Sequence, residues 1–268
     1  MRDLLFLCLL LININAYSAI KTVTTGLDNG SAGSLRKVVA SAAMNDSIIF
    51  DSAIDSIVLD SAIRLPYKAL SFNGSINGKQ IKIDGKKKTQ LFTILGWTGR
   101  NIRFYNFIFQ NGKSSYGGAI SANMEWGGEL QCNNCAFKSN RSDTAGGAVC
   151  LTESGRFENC IFENNICTNG GSTPISGGGA IYADVSSYNT CAISNCTFIN
   201  NYTSNGSGGA LYIYNCTITN CIFTQNVVKG SWGGGGAICA HNSRIINSSF
   251  SQNRVSSNLY DGGAVCLT

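Results

Sequence analysis

Asn195-Cys196-Thr197-Phe198-Ile199-Asn200-Asn201, then Gly208-Gly209-Ala210-Leu211, then Asn220-Cys221-Ile222-Phe223-Thr224-Gln225-Asn226: this stretch spells one short pattern and begins it again. The half written N-C-x-F-x-x-N returns as Asn134-Cys135-Ala136-Phe137 and Asn159-Cys160-Ile161-Phe162. With Cys replaced it returns as Asn106-Phe107-Ile108-Phe109 and Asn247-Ser248-Ser249-Phe250. The half written G-G-A-[IVL] opens at Gly117, Gly146, Gly178, Gly208, Gly235 and Gly262. Phe109, Phe137, Phe162, Phe198, Phe223 and Phe250 follow one another at intervals of 28, 25, 36, 25 and 27 residues. A period in this range is the mark of a solenoid or related array.

The residues before each anchor Asn alternate apolar and polar, as in Cys191-Ala192-Ile193-Ser194 and Cys216-Thr217-Ile218-Thr219. That is the period of a half-buried strand, not of a helix. Aligned on Phe, the copies give two further inward columns: Phe104, Cys132, Phe157, Ile193, Ile218 and Ile245, and Phe107, Cys135, Cys160, Cys196, Cys221 and Ser248. The G-G-A-[IVL] half supplies another strand, with Ile120, Val149, Ile181, Leu211, Ile238 and Val265 as its inward knob. The paired Gly allow a sharp bend closed to residues with a Cβ. Each coil is expected to hold three short strands and three turns, so the fold class is all-β, a parallel β-helix. Stacking then produces a Phe ladder, a partial Cys ladder and an Asn ladder of Asn134, Asn159, Asn195, Asn220 and Asn247. These ladders read as architecture, because each coil buries its apolar face only against the next.

The paired G-G-A-[ILV] and F-x-x-N repeats over residues 104–268 resemble those of chlamydial polymorphic outer-membrane proteins. Phe109-Gln110-Asn111 departs from the strict F-x-x-N form. The resemblance implies a right-handed β-helix displayed on a cell surface as an autotransporter passenger, in a family associated with adhesion. That family ends in a membrane β-barrel, which has no counterpart in these 268 residues.

Residues 1–18 read as an export signal, with Arg2, an apolar run from Leu4 to Ile12 and the small-x-small site Ala16-Tyr17-Ser18. A secreted chain, associated with the cell surface or outer membrane, is expected. No other apolar run approaches 20 residues, so no transmembrane helix is expected. Residues 19–103 lack Cys and repeat only loosely. Within them Gly33–Ala42 reads as an amphipathic helix with Ser34 as N-cap and Leu35, Val38, Val39 and Ala42 on one face. It is expected to cover the apolar end of the stack, as solenoids require. Strand-like runs follow at Ser47–Phe50, Ser56–Leu59, Leu70–Phe72, Ile81–Ile83, Leu91–Leu95 and Ile102–Phe109, which are expected to form the first irregular coils of the same domain. The sequence stops at Gly262-Gly263-Ala264-Val265-Cys266-Leu267-Thr268, after half a repeat. A continuation, a covering partner or end-to-end self-association is the expectation there.

The net charge of +5 is modest, and its densest run, Lys79, Lys82, Lys86, Lys87 and Lys88, has no interleaved aromatics. It reads as a solvated turn, and no nucleic-acid partner is expected. Loss of Cys8 with the signal leaves 11 of the 12 Cys, an odd number. Vertical pairs are open to Cys135 with Cys160, Cys191 with Cys216, Cys196 with Cys221, and Cys239 with Cys266. Because Cys shares the inner column with Phe and Ser, buried thiols are favoured there. Cys132-x-x-Cys135 reads as two inward positions, with no second pair and no near His to complete a zinc site.

Parallel β-helices also carry polysaccharide lyases and glycoside hydrolases, and fold alone does not decide function. Glycoside cleavage needs two carboxyl groups across one bond. Glu158 and Glu163 flank Phe162 but have no counterpart on the next coil, Asp184 stands apart, and His241, the single His, reads as an exposed strand residue. No catalytic, cofactor-binding or metal-ligating residues are therefore assigned. Loops vary mainly between F-x-x-N and the next Gly-Gly, the longest being Ile166–Gly177. Tyr116, Trp232 and Tyr260 lie at such bends and Tyr202 in such a loop, making them candidates for partner contact. Adhesion to a host-cell protein or glycan is the favoured function, followed by a plain stalk and then a carbohydrate-active enzyme.

Overall fold

The driver of the fold is the burial of one apolar edge per repeat, which no repeat achieves alone. The computed structural model describes residues 18–96, 100–124, 127–168, 177–186, 188–230, 234–256 and 263–267. The chain winds a parallel β-solenoid of about eight turns. The expected leader lies, but for Ser18, outside the described residues.

One coil illustrates the rest. Cys191–Ser194, Thr197–Ile199, Tyr202–Thr203 and Leu211–Tyr214 each join a different sheet. Four strands per coil, not three, is thus a correction. The third is as short as two residues, yet Tyr202 and Thr203 pair in register with Ile166 and Cys167 below and with Val227 and Val228 above. Among the described residues the four sheets hold nine, nine, six and eight strands. Every pairing is parallel except the small hairpin between Ser75–Ile76 and Lys79–Asp84.

The registers reproduce the aligned columns. Phe104, Cys132, Phe157, Ile193, Ile218 and Ile245 are successive partners in the first sheet. Phe109, Phe137, Phe162, Phe198, Phe223 and Phe250 are successive partners in the second. From Phe137 to Phe250 the rings lie near-parallel at 4.6–5.0 Å between centroids, fully buried at all but the last.

Two turn chemistries bend the coil. Asn106, Asn134, Asn159, Asn195, Asn220 and Asn247 hold φ between 48° and 64° at the corner between the first and second sheets. Asn tolerates this left-handed region better than most residues. Their side chains face solvent and bond one another in part, Asn134 Nδ2 donating to Asn106 Oδ1 at 2.7 Å and Asn220 Nδ2 to Asn195 Oδ1 at 3.4 Å. At the other corner the two Gly do different jobs. A Cβ on Gly178 (φ +67°) would meet the Ile181 carbonyl oxygen at 2.0 Å, whereas one on Gly179 would meet the next coil's Gly209 oxygen at 2.1 Å. The first Gly supplies conformation and the second supplies clearance between coils.

A second Asn ladder, one residue type deeper than the expected one, runs inside the wall. Asn140, Asn165, Asn201 and Asn226 are the last letters of F-x-x-N and are all buried. Each donates through Nδ2 to the carbonyl of a Phe one coil below and to Oδ1 of the Asn above, which also accepts the backbone N–H, all at 2.9–3.0 Å. The amide thereby satisfies the backbone groups that the corner turns away from the sheets. In the Gln110–Gly112 departure, Gly112 takes the ladder position and its N–H donates to Asn140 Oδ1 at 2.8 Å.

The helix forms at Leu35–Ser41, with Ser34 Oγ accepting from the Lys37 N–H. Leu35, Val38, Val39 and Ala42 are buried in the core against Ile20–Val23 and Ile63–Leu65, first strands of their sheets. Asp46 fastens this end by accepting from the N–H groups of Ala19 and Ala43.

Cys191 and Cys216, in register in the first sheet, form a disulfide. Cys135, Cys160, Cys196 and Cys221 of the inner column are buried free thiols, as expected of that column. The disulfide closes one coil, a sequence separation of 25 residues. Its loss through Cys191→Ser with Cys216→Ser is expected to lower stability by about 3 kcal/mol. Urea titrations of wild type and double variant check this, and identical midpoints would show that the bond constrains nothing.

Candidate functional site

The strand after each Gly-Gly bend points its first and third residues inward and its second and fourth outward. Ile181 and Ala183 enter the main core, whereas Tyr182 belongs to a separate outer cluster with Cys150, Tyr212 and Cys239. The outer columns of the fourth sheet therefore carry the unusual chemistry. One column runs Ser121, Cys150, Tyr182, Tyr212, Cys239 and Cys266. The other holds Leu95 beside Asn123, and then Asp184, Tyr214 and His241. Thr152 bonds Asn123 Oδ1 at 3.1 Å and links the two parts.

Where the third and fourth sheets meet, these columns border a groove of about 500 Å³. Tyr116, Thr144 and Ala145 form its wall on the third-sheet side. Its floor spans four coils, from Leu95 through Asn123 and Thr152 to Asp184 and Tyr182. Tyr116 is half exposed. Above the groove the strip continues as stacked rings. Tyr182 lies parallel to Tyr212 at 5.5 Å, Tyr214 parallel to His241 at 4.2 Å, and the Tyr212 and Tyr214 hydroxyls are 3.0 Å apart.

Burial pushes the Tyr182 hydroxyl well above the usual phenol range, and the Asp184 charge adds to this. Burial does the same to Tyr212, with the Tyr214 hydrogen bond second. Burial pushes the Cys150 thiol up to about 12, helped by Cys167 and Asp184. His241 shifts down because burial disfavours its cation. At neutral pH these side chains are uncharged, and among the described residues Asp184 is the charged group lining the groove.

The expected binding residues divide. Tyr116 borders the groove, whereas Tyr202 is half-buried in the third sheet, away from it. Trp232 and Tyr260 lie outside the described residues. His241 is half-buried under Tyr214 rather than an exposed strand residue, a correction that follows from its place in the aromatic column. Glu163 pairs with Lys138 at 3.1 Å, and Glu158 accepts from Asn133 at 3.0 Å. Lys79 and Lys82 are exposed on the strand Lys79–Asp84, and Lys86, Lys87 and Lys88 are exposed in the turn after it. Tyr182, Tyr214, Asp184, Asn123 and Thr152 were missed. Aligning the residues after the inward knob, Ile181-Tyr182-Ala183-Asp184 under Leu211-Tyr212-Ile213-Tyr214, would have found the outer face.

No protein-family model matches the chain, and comparison with curated proteins finds no match. Of what the resemblance to polymorphic outer-membrane proteins implies, the parallel solenoid is the part that the structure contains. No helix among the described residues is long and apolar enough to cross a membrane.

Proposed function

We propose that this chain is an exported, surface-displayed passenger that acts as an adhesin, with the groove on the fourth sheet as its contact surface. The observation that supports this reading is the groove itself, walled by the half-exposed Tyr116 and floored on three of its four coils by the hydrogen-bonding side chains of Asn123, Thr152 and Asp184. Its size falls within the usual range of about 300–1,000 Å³ for ligand sites. A stalk needs only the ladders. Cleavage of a glycosidic bond draws on two flanking carboxyl groups, and Asp184 is the one carboxylate at the groove among the described residues. Binding is therefore favoured over hydrolysis.

The test is saturable attachment of the purified chain, labelled away from the groove, to cultured host cells, measured by flow cytometry. Tyr116→Ala is expected to reduce attachment. Absence of attachment by a folded wild type would reject adhesion and leave the stalk.

A further inference from the structure

Resting on the groove as the binding surface, we propose that its ligand is an uncharged polysaccharide chain lying along the solenoid axis. Leu95, Asn123, Thr152 and Asp184 stand on four successive coils along one side of the groove. Neighbouring coils are about 4.8 Å apart, close to the advance of one pyranose in an extended chain. A ligand with a chemical repeat can meet this floor unit by unit, whereas a compact ligand meets it once.

Chemistry narrows the class. The amide of Asn123 and the hydroxyls of Ser121, Thr144 and Thr152 donate and accept hydrogen bonds, as a hydroxyl-rich chain requires. Tyr116 offers a ring face and edge to the apolar side of a sugar. Asp184 repels anions, and among the described residues the lining includes no Lys, Arg or His. The basic residues that would hold an acidic chain are elsewhere, as at Lys86, Lys87 and Lys88. A protein partner would ordinarily need a contact of at least about 1,000 Å², far more surface than the residues lining this groove expose.

The experiment is binding of the purified full chain to size-graded neutral oligosaccharides, beside uronic-acid and sulfated chains of equal length. Affinity for neutral chains is expected to climb until the ligand spans the four coils from Leu95 to Asp184, then level off. Tyr116→Ala should weaken it about five- to tenfold, the effect of one lost ring contact. Lys82→Ala, exposed on the second sheet and away from the groove, serves as the control. Asp184→Asn should allow acidic chains to enter. Preference of the wild type for acidic chains, or affinity independent of length, would overturn the proposal. So would cell attachment that survives glycan removal and is abolished by protease treatment of the cells, while adhesion itself would stand. A folded protein that binds neither cells nor glycans would remove both readings.

Discussion

Asn201→Leu is expected to destabilise the solenoid by about 4 kcal/mol, because it leaves several buried hydrogen-bonding groups without partners, at roughly 1–3 kcal/mol each. The Asn201 amide donates to Phe162 O and Asn226 Oδ1, and its Oδ1 accepts from both the backbone and side-chain nitrogens of Asn165. Leucine fills the volume and replaces none of these bonds. The informative companion is Asn195→Gly. Asn195 is exposed at φ 52°, and Gly reaches that conformation without strain, so the change should cost less than about 1 kcal/mol. Urea unfolding of the two variants against wild type separates the roles. Equal losses from both would mean that the buried ladder has no special weight.

Phe198→Ala is the second large effect, expected at about 3–5 kcal/mol as for other buried aromatics. Phe198 is fully buried between Phe162 at 4.8 Å and Phe223 at 4.7 Å. The loss should concentrate in the coils above and below, since a solenoid is held by nearest-neighbour interfaces. Hydrogen exchange should therefore quicken first in the strands Ile161–Glu163, Thr197–Ile199 and Ile222–Thr224. Uniform quickening from the helix at Leu35–Ser41 onward would indicate one global unit instead.

The repeat made the stack legible because identical inward residues recur with identical neighbours. Ser47–Phe50 reads as a short strand-like run and stands as a strand in the structure. Ile102–Phe109 reads as one run yet divides at Asn106, whose φ of 64° turns the chain between Ile102–Tyr105 and Phe107–Gln110. The third sheet escaped notice because Tyr202–Thr203 and Val227–Val228 are too short to display a period. Ile20–Val23 and Ile63–Leu65 escaped because they precede the regular copies. The groove was harder still. Sequence columns announce what is inside, where side chains are constrained to match. The outer face varies from Ser121 to Cys150 to Tyr182, and its meaning comes only from the corner with the third sheet.

The Asn rungs also bear on how the chain finds its shape. Successive rungs join residues 25 apart at Asn140–Asn165, 36 apart at Asn165–Asn201 and 25 apart at Asn201–Asn226. Loop-closure entropy grows only with the logarithm of length, so the 36-residue closure costs only about 0.3 kcal/mol more than the 25-residue ones. Winding can then advance one coil at a time from the helix-covered end, each closure meeting nearly the same entropic barrier. The residues inserted in the longest loop can diversify without slowing the growth of the spiral beneath them.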